Sequence, residues 1–326
     1  MATVATTTSG ISSQFQRYFS KELLDYITQQ LQLVQLAQKA PLPEKSGSKT
    51  IRWHRFDEPS TSSIQTLTEG TAISSSDYRT MSLESVDADL VQYGQVISIT
   101  DVLRATELFN HLEQAVKVTG QDAALHADSI VRNELGGSVS GKQERYAGTA
   151  SSYSGVGSAS AGDADVGSTD VLDCATNLRQ NNAPTIGGSF VGVAGPEVLR
   201  DLMTNNAWLN AAQYSSVEKL YRGEVGSLYG VKFLQTTVPF RSDGSTQNTY
   251  DSSGSVYSTF VFGADAFGTP ELSSQSAYSP SVYVTEGASK DDPLNQQTKC
   301  GYKSYFCGKV LQPKYYVEMY SQTSFS

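Results

Sequence analysis

Cysteine, histidine and charge are all scarce in this chain. Three cysteines occur, Cys174, Cys300 and Cys307, an odd set with no Cys-x-x-Cys pair, so neither a disulfide framework nor a zinc site is encoded. Reduced thiols in a protein made in a cytoplasm are the expectation. Three histidines occur, His54, His111 and His126, and the last two fall on one expected helix, roughly four turns apart and too far to share a metal. Charged residues make up 17%, with 24 Lys and Arg against 33 Asp and Glu and a formal net charge of −9, so the basic surface of a tight nucleic-acid binder is missing. There is no apolar run long enough to span a bilayer. The start, Met1 to Ser9, lacks the basic and apolar parts of a signal peptide, and the expectation is a soluble intracellular product with no membrane partner.

Catalytic motifs are missing too. No Gly-x-Ser-x-Gly elbow, Walker A loop or His-Glu-x-x-His pair occurs, and Gly155-Val-Gly157 lies in a Ser/Gly tract without a preceding strand. Asp163-Ala-Asp165 and Asp291-Asp292 lack the spacing of a calcium loop and read as turn carboxylates. Nothing brings a nucleophile, a base and an electrophile stabiliser together. The expectation is a non-enzyme with no catalytic, cofactor-binding or metal residues.

What the chain does have is enough to fold. Its 326 residues are 38% hydrophobic and 10% aromatic, room for about two domains of roughly 100–200 residues. Residues up to about Ser13 are small and polar and read as an arm. From Phe15 to Gln38, apolar residues recur at helical spacing until Pro41 and Pro43. Lys49 to Phe56 alternates as a half-wet strand. Asp57 to Asp89 is a Ser- and Thr-rich excursion that turns at Glu69-Gly70, with thin alternation at Ile64–Leu67 and Arg79–Leu83. An isolated hairpin is marginal in water, so its order should come from a neighbouring subunit.

Leu90 to Ile99 reads as a strand, with Thr100 or Asp101 able to cap the next helix. Ala105 to Leu135 is the longest helical pattern, roughly 45 Å at 1.5 Å per residue, interrupted by Gly120. Gly136 to Ser168 reads as a Gly/Ser-rich loop. Val171 to Leu178 is a short helix, Ser189 to Gly195 a buried-type strand, and Pro196 opens a helix through Met203. Phe260–Phe262 is a strand after a polar insertion at Arg241–Ser258, and Gly301 to Tyr320 is β-rich on both sides of Pro313. Ahead of these, Tyr221 to Thr237 sets Gly223, Gly226 and Gly230 among apolar residues, glycines that bend short β segments. The eighteen tyrosines suit strands and protein interfaces alike. Strands and helices mix without βαβ alternation, which predicts an α+β fold.

Several blocks, in order, resemble the major capsid proteins of tailed bacteriophages, in particular the podovirus-like coliphage coat family. They include Pro41-Leu-Pro43, Leu67-Thr-Glu-Gly70, Ile99-Thr-Asp-Val-Leu103, Asp128 to Leu135, Arg145-Tyr-Ala-Gly148, Gly195-Pro-Glu197, Trp208-Leu-Asn-Ala-Ala212, the Gly223–Gly230 block, Phe262 to Phe267 and Asp292-Pro-Leu-Asn-Gln296. The resemblance implies the fold of tailed-phage capsids, shared with encapsulins and the herpesvirus capsid floor. It implies an N-terminal arm at 1–20 and an extended loop at 57–89. A peripheral domain would comprise 21–56, 90–168 and 312–326 with a spine helix at 105–135, and an axial domain 169–311. It also implies subunits that self-assemble into pentamers and hexamers of an icosahedral head around double-stranded DNA, with scaffold, portal and decoration or cement proteins as partners. The location implied is the virion capsid, and the host cytoplasm during assembly. Phe15, Tyr18, Glu69, Arg79 and Met81 are the candidate intersubunit contacts; Gly223, Gly226 and Gly230 are architectural. Some members of the fold crosslink subunits through a lysine of the extended loop, but no lysine lies between Lys49 and Lys117 here, so the expected shell is non-covalent or pinned by cement proteins. The alternatives are an encapsulin-like nanocompartment shell, or a secreted surface-layer or adhesin protein.

Overall fold

In a computed structural model, the chain is described at residues 32–42, 48–56, 64, 66–67, 69–74, 78–106, 111–160, 162–205, 226–272, 280–285, 287 and 292–325. The first described element is one helical turn, α1 (Leu33–Leu36), followed directly by strand β1 (Gln38–Leu42). The helix expected from Phe15 to Gln38 therefore ends at Leu36, and its earlier part lies outside the described residues. Pro41 sits inside β1, which the sequence reading did not anticipate. Proline is tolerated there because β1 is the edge of a three-stranded sheet, parallel to β11 (Phe267–Leu272), whose other neighbour is β14 (Lys309–Val310).

Strand β2 (Thr50–Phe56) appears where alternation placed it and pairs antiparallel with β3 (Leu83–Asp89), from Thr50↔Asp89 to Phe56↔Leu83. The 57–89 excursion thus has a two-stranded base. The described residues between 64 and 82 form no strand.

Strand β4 (Val91–Thr100) leads into a short helix, α2 (Asp101–Thr106), whose Leu103 N–H donates to the Thr100 hydroxyl at 3.4 Å. Helix α3 (His111–Gly136) then runs 26 residues, about 39 Å. Gly120 is buried within it and the helix continues through. One face of α3, carrying Val116, Ala123, Ala127 and Val131, packs on a three-stranded sheet of β12 (Ser281–Thr285), β13 (Gln297–Phe306) and β4. Alternation along these strands turns Ile99, Val282, Val284, Cys300, Tyr302 and Phe306 toward the helix.

The largest sheet runs β5 (Gln143–Tyr146), β15 (Tyr316–Ser321), β10 (Val256–Phe262), β6 (Phe190–Ala194), β8 (Val231–Gln235), β7 (Ser227–Leu228), with β9 (Phe240–Ser242) also pairing β10. All seven residues of β10 are buried because both faces are covered. Phe260 and Phe262 face the α3 core. Val261 and Tyr257 face a second core, with Val171, Leu178, Val198 and Leu202 from helices α5 (Ser168–Gln180) and α6 (Pro196–Thr204). Each such buried side chain contributes about 1.5–3 kcal/mol. Pro196 is the first residue of α6, and Asp170 accepts the Gly167 N–H at 2.8 Å to open α5.

Two expectations change here. The 136–168 segment holds β5 and a helical turn, α4 (Tyr153–Gly157), so it is not a plain loop. The polar insertion at 241–258 is flanked by β9 and by a β10 that already starts at Val256. Residues 316–321, which the resemblance groups with 90–168, form a strand of the largest sheet. They lie between β5 and β10, because their six side chains are all buried and only a two-sided sheet supplies that cover. The α+β class stands, with mixed parallel and antiparallel sheets.

Candidate assembly surfaces

Among the described residues, the histidines, cysteines and acidic turns named above do not form a catalytic or metal-binding group. No group of His, Cys, Asp and Glu suited to a metal occurs among the described residues. Cys174, Cys300 and Cys307 are buried, and burial pushes the Cys174 thiol up to about 12 and the Cys307 thiol to about 11, the opposite of an activated nucleophile. His126 packs edge-on to Tyr93 at 4.8 Å, and burial lowers its pKa. Asp292 accepts the backbone N–H groups of Gln296 and Gln297 at 3.0 and 2.8 Å, as a turn carboxylate does. Among the described residues no helix is long and apolar enough to cross a membrane.

Surfaces are the features that stand out. The β2–β3 base is held by an Arg52–Asp87 fork at 2.6 and 2.7 Å and by Arg55, which bonds Glu84 at 2.6 Å and reaches the Leu311 carbonyl at 2.6 Å. The Arg52 guanidinium holds the Asp87 carboxyl below its ordinary range. Beyond this base the excursion exposes Phe56, Ile64, Leu67, Ile73, Tyr78, Met81 and Leu83, with Met81 69% and Leu67 68% exposed. So many large exposed apolar side chains in one stretch of chain make it a candidate contact surface. Glu69 and Arg79 are exposed in the same stretch. Phe15 and Tyr18 lie outside the described residues, so only three of the five named contacts are placed.

The outer face of the β12–β13–β4 sheet is a second surface. Val96, Tyr283 and Tyr305 are exposed there beside Lys299 and Lys303, opposite the face on α3. The sequence marked β4 and the Gly301–Phe306 part of β13 as β, but not that they pair: the two lie about two hundred positions apart, which alternation within one segment cannot reveal.

The glycine block forms a hairpin. Strands β7 and β8 pair Leu228 with Val231 across a two-residue loop, Tyr229-Gly230, both at positive φ (51° and 86°). That is the type I′ turn, whose second position favours glycine. Arg179, in the last turn of α5, holds it by donating to the Tyr229 carbonyl at 2.9 Å. Gly226 lends its carbonyl to the Phe233 N–H at 3.3 Å, and Gly223 lies outside the described residues.

With this geometry established, the chain has the fold of icosahedral-virus shell subunits of the phage type. It is similar to the capsid subunit of cyanophage P-SCSP1u (TM-score 0.62, 17% identity, 89% of this chain and 87% of that one). It is likewise similar to the capsid subunit of cyanophage Pam1 (TM-score 0.63, 14% identity, 87% of both chains). The virus-like particle from Pyrococcus furiosus shares the fold at TM-score 0.51 and 9% identity, over 93% of this chain and 98% of that one. No family model and no curated protein sequence matches the chain.

Proposed function

We propose that the protein is the major coat subunit of a phage head, self-assembling into pentamers and hexamers of an icosahedral shell around double-stranded DNA. The observation that carries this reading is the set of exposed apolar side chains among the described residues between 64 and 82, on a body whose fold is shared with capsid subunits over 87–89% of its length. A single subunit leaves that surface in water, and a neighbouring copy would cover it. In this reading residues 1–20 are an arm, 57–89 an extended loop and α3 the spine helix of a peripheral unit. The axial unit, 169–311, takes β5 and β15 as well, since they complete its sheet. Phe15, Tyr18, Glu69, Arg79 and Met81 touch neighbours, and the Gly226–Gly230 hairpin lies toward the capsomer axis. The net charge of −9 suits a wall that encloses DNA without gripping it. Scaffold, portal and cement proteins would be separate partners, and assembly would take place in the host cytoplasm before the subunit resides in the virion.

Deleting residues 62–82 tests the reading. The expected product is a folded subunit that no longer closes shells, seen by electron microscopy; normal shells from that deletion would sink it. The likeness to the Pyrococcus virus-like particle supports a second reading, a nanocompartment with protein cargo. Nuclease-protected DNA inside purified particles favours the first reading, and enclosed protein without DNA the second.

A further inference from the structure

Lys142 sits between α3 and β5 with its side chain only 5% exposed. Its Nζ lies 2.7 Å from Glu318 Oε2, 3.0 Å from the Tyr320 hydroxyl, and 3.3 Å from both the Gly137 carbonyl and Glu144 Oε1; it also touches Asn248 Oδ1. Five acceptors surround a group with three N–H bonds. Glu318 is fully buried on β15. Tyr146 stacks on Tyr320 at 5.8 Å and Tyr153 meets it edge-on at 5.2 Å, so aromatic rings wall one side of the cluster. The Tyr320 hydroxyl also lies 3.4 Å from Asn248 Oδ1.

A buried amine against a carboxamide, with a buried carboxyl on the amine and a hydroxyl on the amide oxygen, is a set of groups able to make an amide bond. We propose that Lys142 and Asn248 become joined by an isopeptide bond within the subunit, with Glu318 moving the protons and Tyr320 steadying the amide oxygen. Glu318 takes a proton from the Lys142 ammonium as the amine attacks, which makes it a carboxylic acid able to return that proton later in the step. Burial raises the pKa of Glu318 and so favours its protonated form. The amine lone pair attacks Asn248 Cγ, and the Tyr320 O–H stabilises the charge that develops on Oδ1. Glu318 returns its proton to Nδ2, the Cγ–Nδ2 bond breaks and ammonia leaves. The surplus proton on the new amide nitrogen passes through Glu318 and departs with ammonia as ammonium. No oxidant or cofactor enters, and the reaction occurs once per chain. The bond ties two parts of one subunit together and lies away from the lysine-free excursion.

Intact-mass spectrometry on the purified full chain, unfolded before analysis, tests this. The wild-type protein is expected to be lighter than its sequence by one ammonia, and trypsin should leave a branched peptide containing Lys142 and Asn248, uncut after Lys142. Glu318→Gln and Asn248→Ala should each have the full sequence mass. Asn248 is half-buried in a turn, and circular dichroism checks that this variant keeps its fold. A wild-type chain of full sequence mass that trypsin cuts after Lys142 overturns the proposal. So does ammonia loss that persists in Asn248→Ala, or loss of one water with Lys142 joined to Glu318.

Discussion

Asp128, about two-thirds of the way along the long helix, accepts the backbone N–H of Gln32 at 2.9 Å, 96 positions earlier in the chain. The same carboxylate also takes the Val34 N–H at 3.3 Å, so one buried side chain holds the opening turn of α1 against α3. Asp128→Ala removes the acceptor from two backbone donors, a loss of about 1–3 kcal/mol. Thermal unfolding should register the loss, and limited proteolysis should cut near residue 32 faster than in the wild type.

The pH response of this clamp has a definite sign. Burial outweighs the hydrogen bonds and the nearby Arg132, so the Asp128 carboxyl lies above its ordinary 3.8. A carboxyl with a higher pKa folded than unfolded binds its proton more readily in the folded state. Its contribution to stability therefore grows as pH falls through the folded value and is lost as pH rises above it. Denaturant titrations should show Asp128→Asn losing this part of the pH dependence, in the window upward from 3.8. A variant with the wild-type slope there would count against the assignment.

The Tyr229-Gly230 turn predicts two opposite effects. Tyr229 adopts a positive φ that costs a side chain about 1 kcal/mol, and asparagine tolerates it. Tyr229→Asn should raise the urea midpoint modestly. Gly230→Val should lower it, because φ is +86° and a Cβ there would also meet Arg179 Nη2 at 3.0 Å.

Gly148 should tolerate no side chain at all. Its φ is +67°, and an added Cβ would fall deep inside the Asp163 carbonyl. Gly148→Ala should cost about 3 kcal/mol by strain and overpacking together. Differential scanning calorimetry should show a clear fall in Tm; an unchanged Tm would contradict this packing.

Leu67→Ser and Met81→Ser separate folding from assembly. Both residues are exposed, so the subunit's own stability should move by less than about 0.5 kcal/mol. Under the proposed function, sedimentation velocity should show fewer or no closed particles. Unaltered assembly in both variants would remove these residues from the interface.

Segments with local periodicity were readable from the chain: Ile51 and Trp53 marked β2, the apolar face of α3 marked the long helix, and Pro196 marked the start of α6. The polar Gln143–Tyr146 gave no such signal, since it is an edge strand whose partner lies more than 170 residues later. Glu318 was likewise invisible as a core residue, because its burial depends on Lys142 from that distant segment. Of the candidate surface, the sequence showed where the excursion lies through its Ser and Thr richness and thin alternation. It did not show that the apolar residues face water, which depends on their standing clear of the body beyond the β2–β3 base.

The position of β15 has a consequence for timing. It is an inner strand, between β5 and β10, yet among the described strands it comes latest in the chain. Until residues 316–321 have left the ribosome, β5 has no partner in this sheet and β10 keeps one edge open. Pairings this distant in the chain are slow to form. A growing chain should thus keep this sheet incomplete until residues 316–321 have been made, and its full stability should arise only after synthesis has passed that strand.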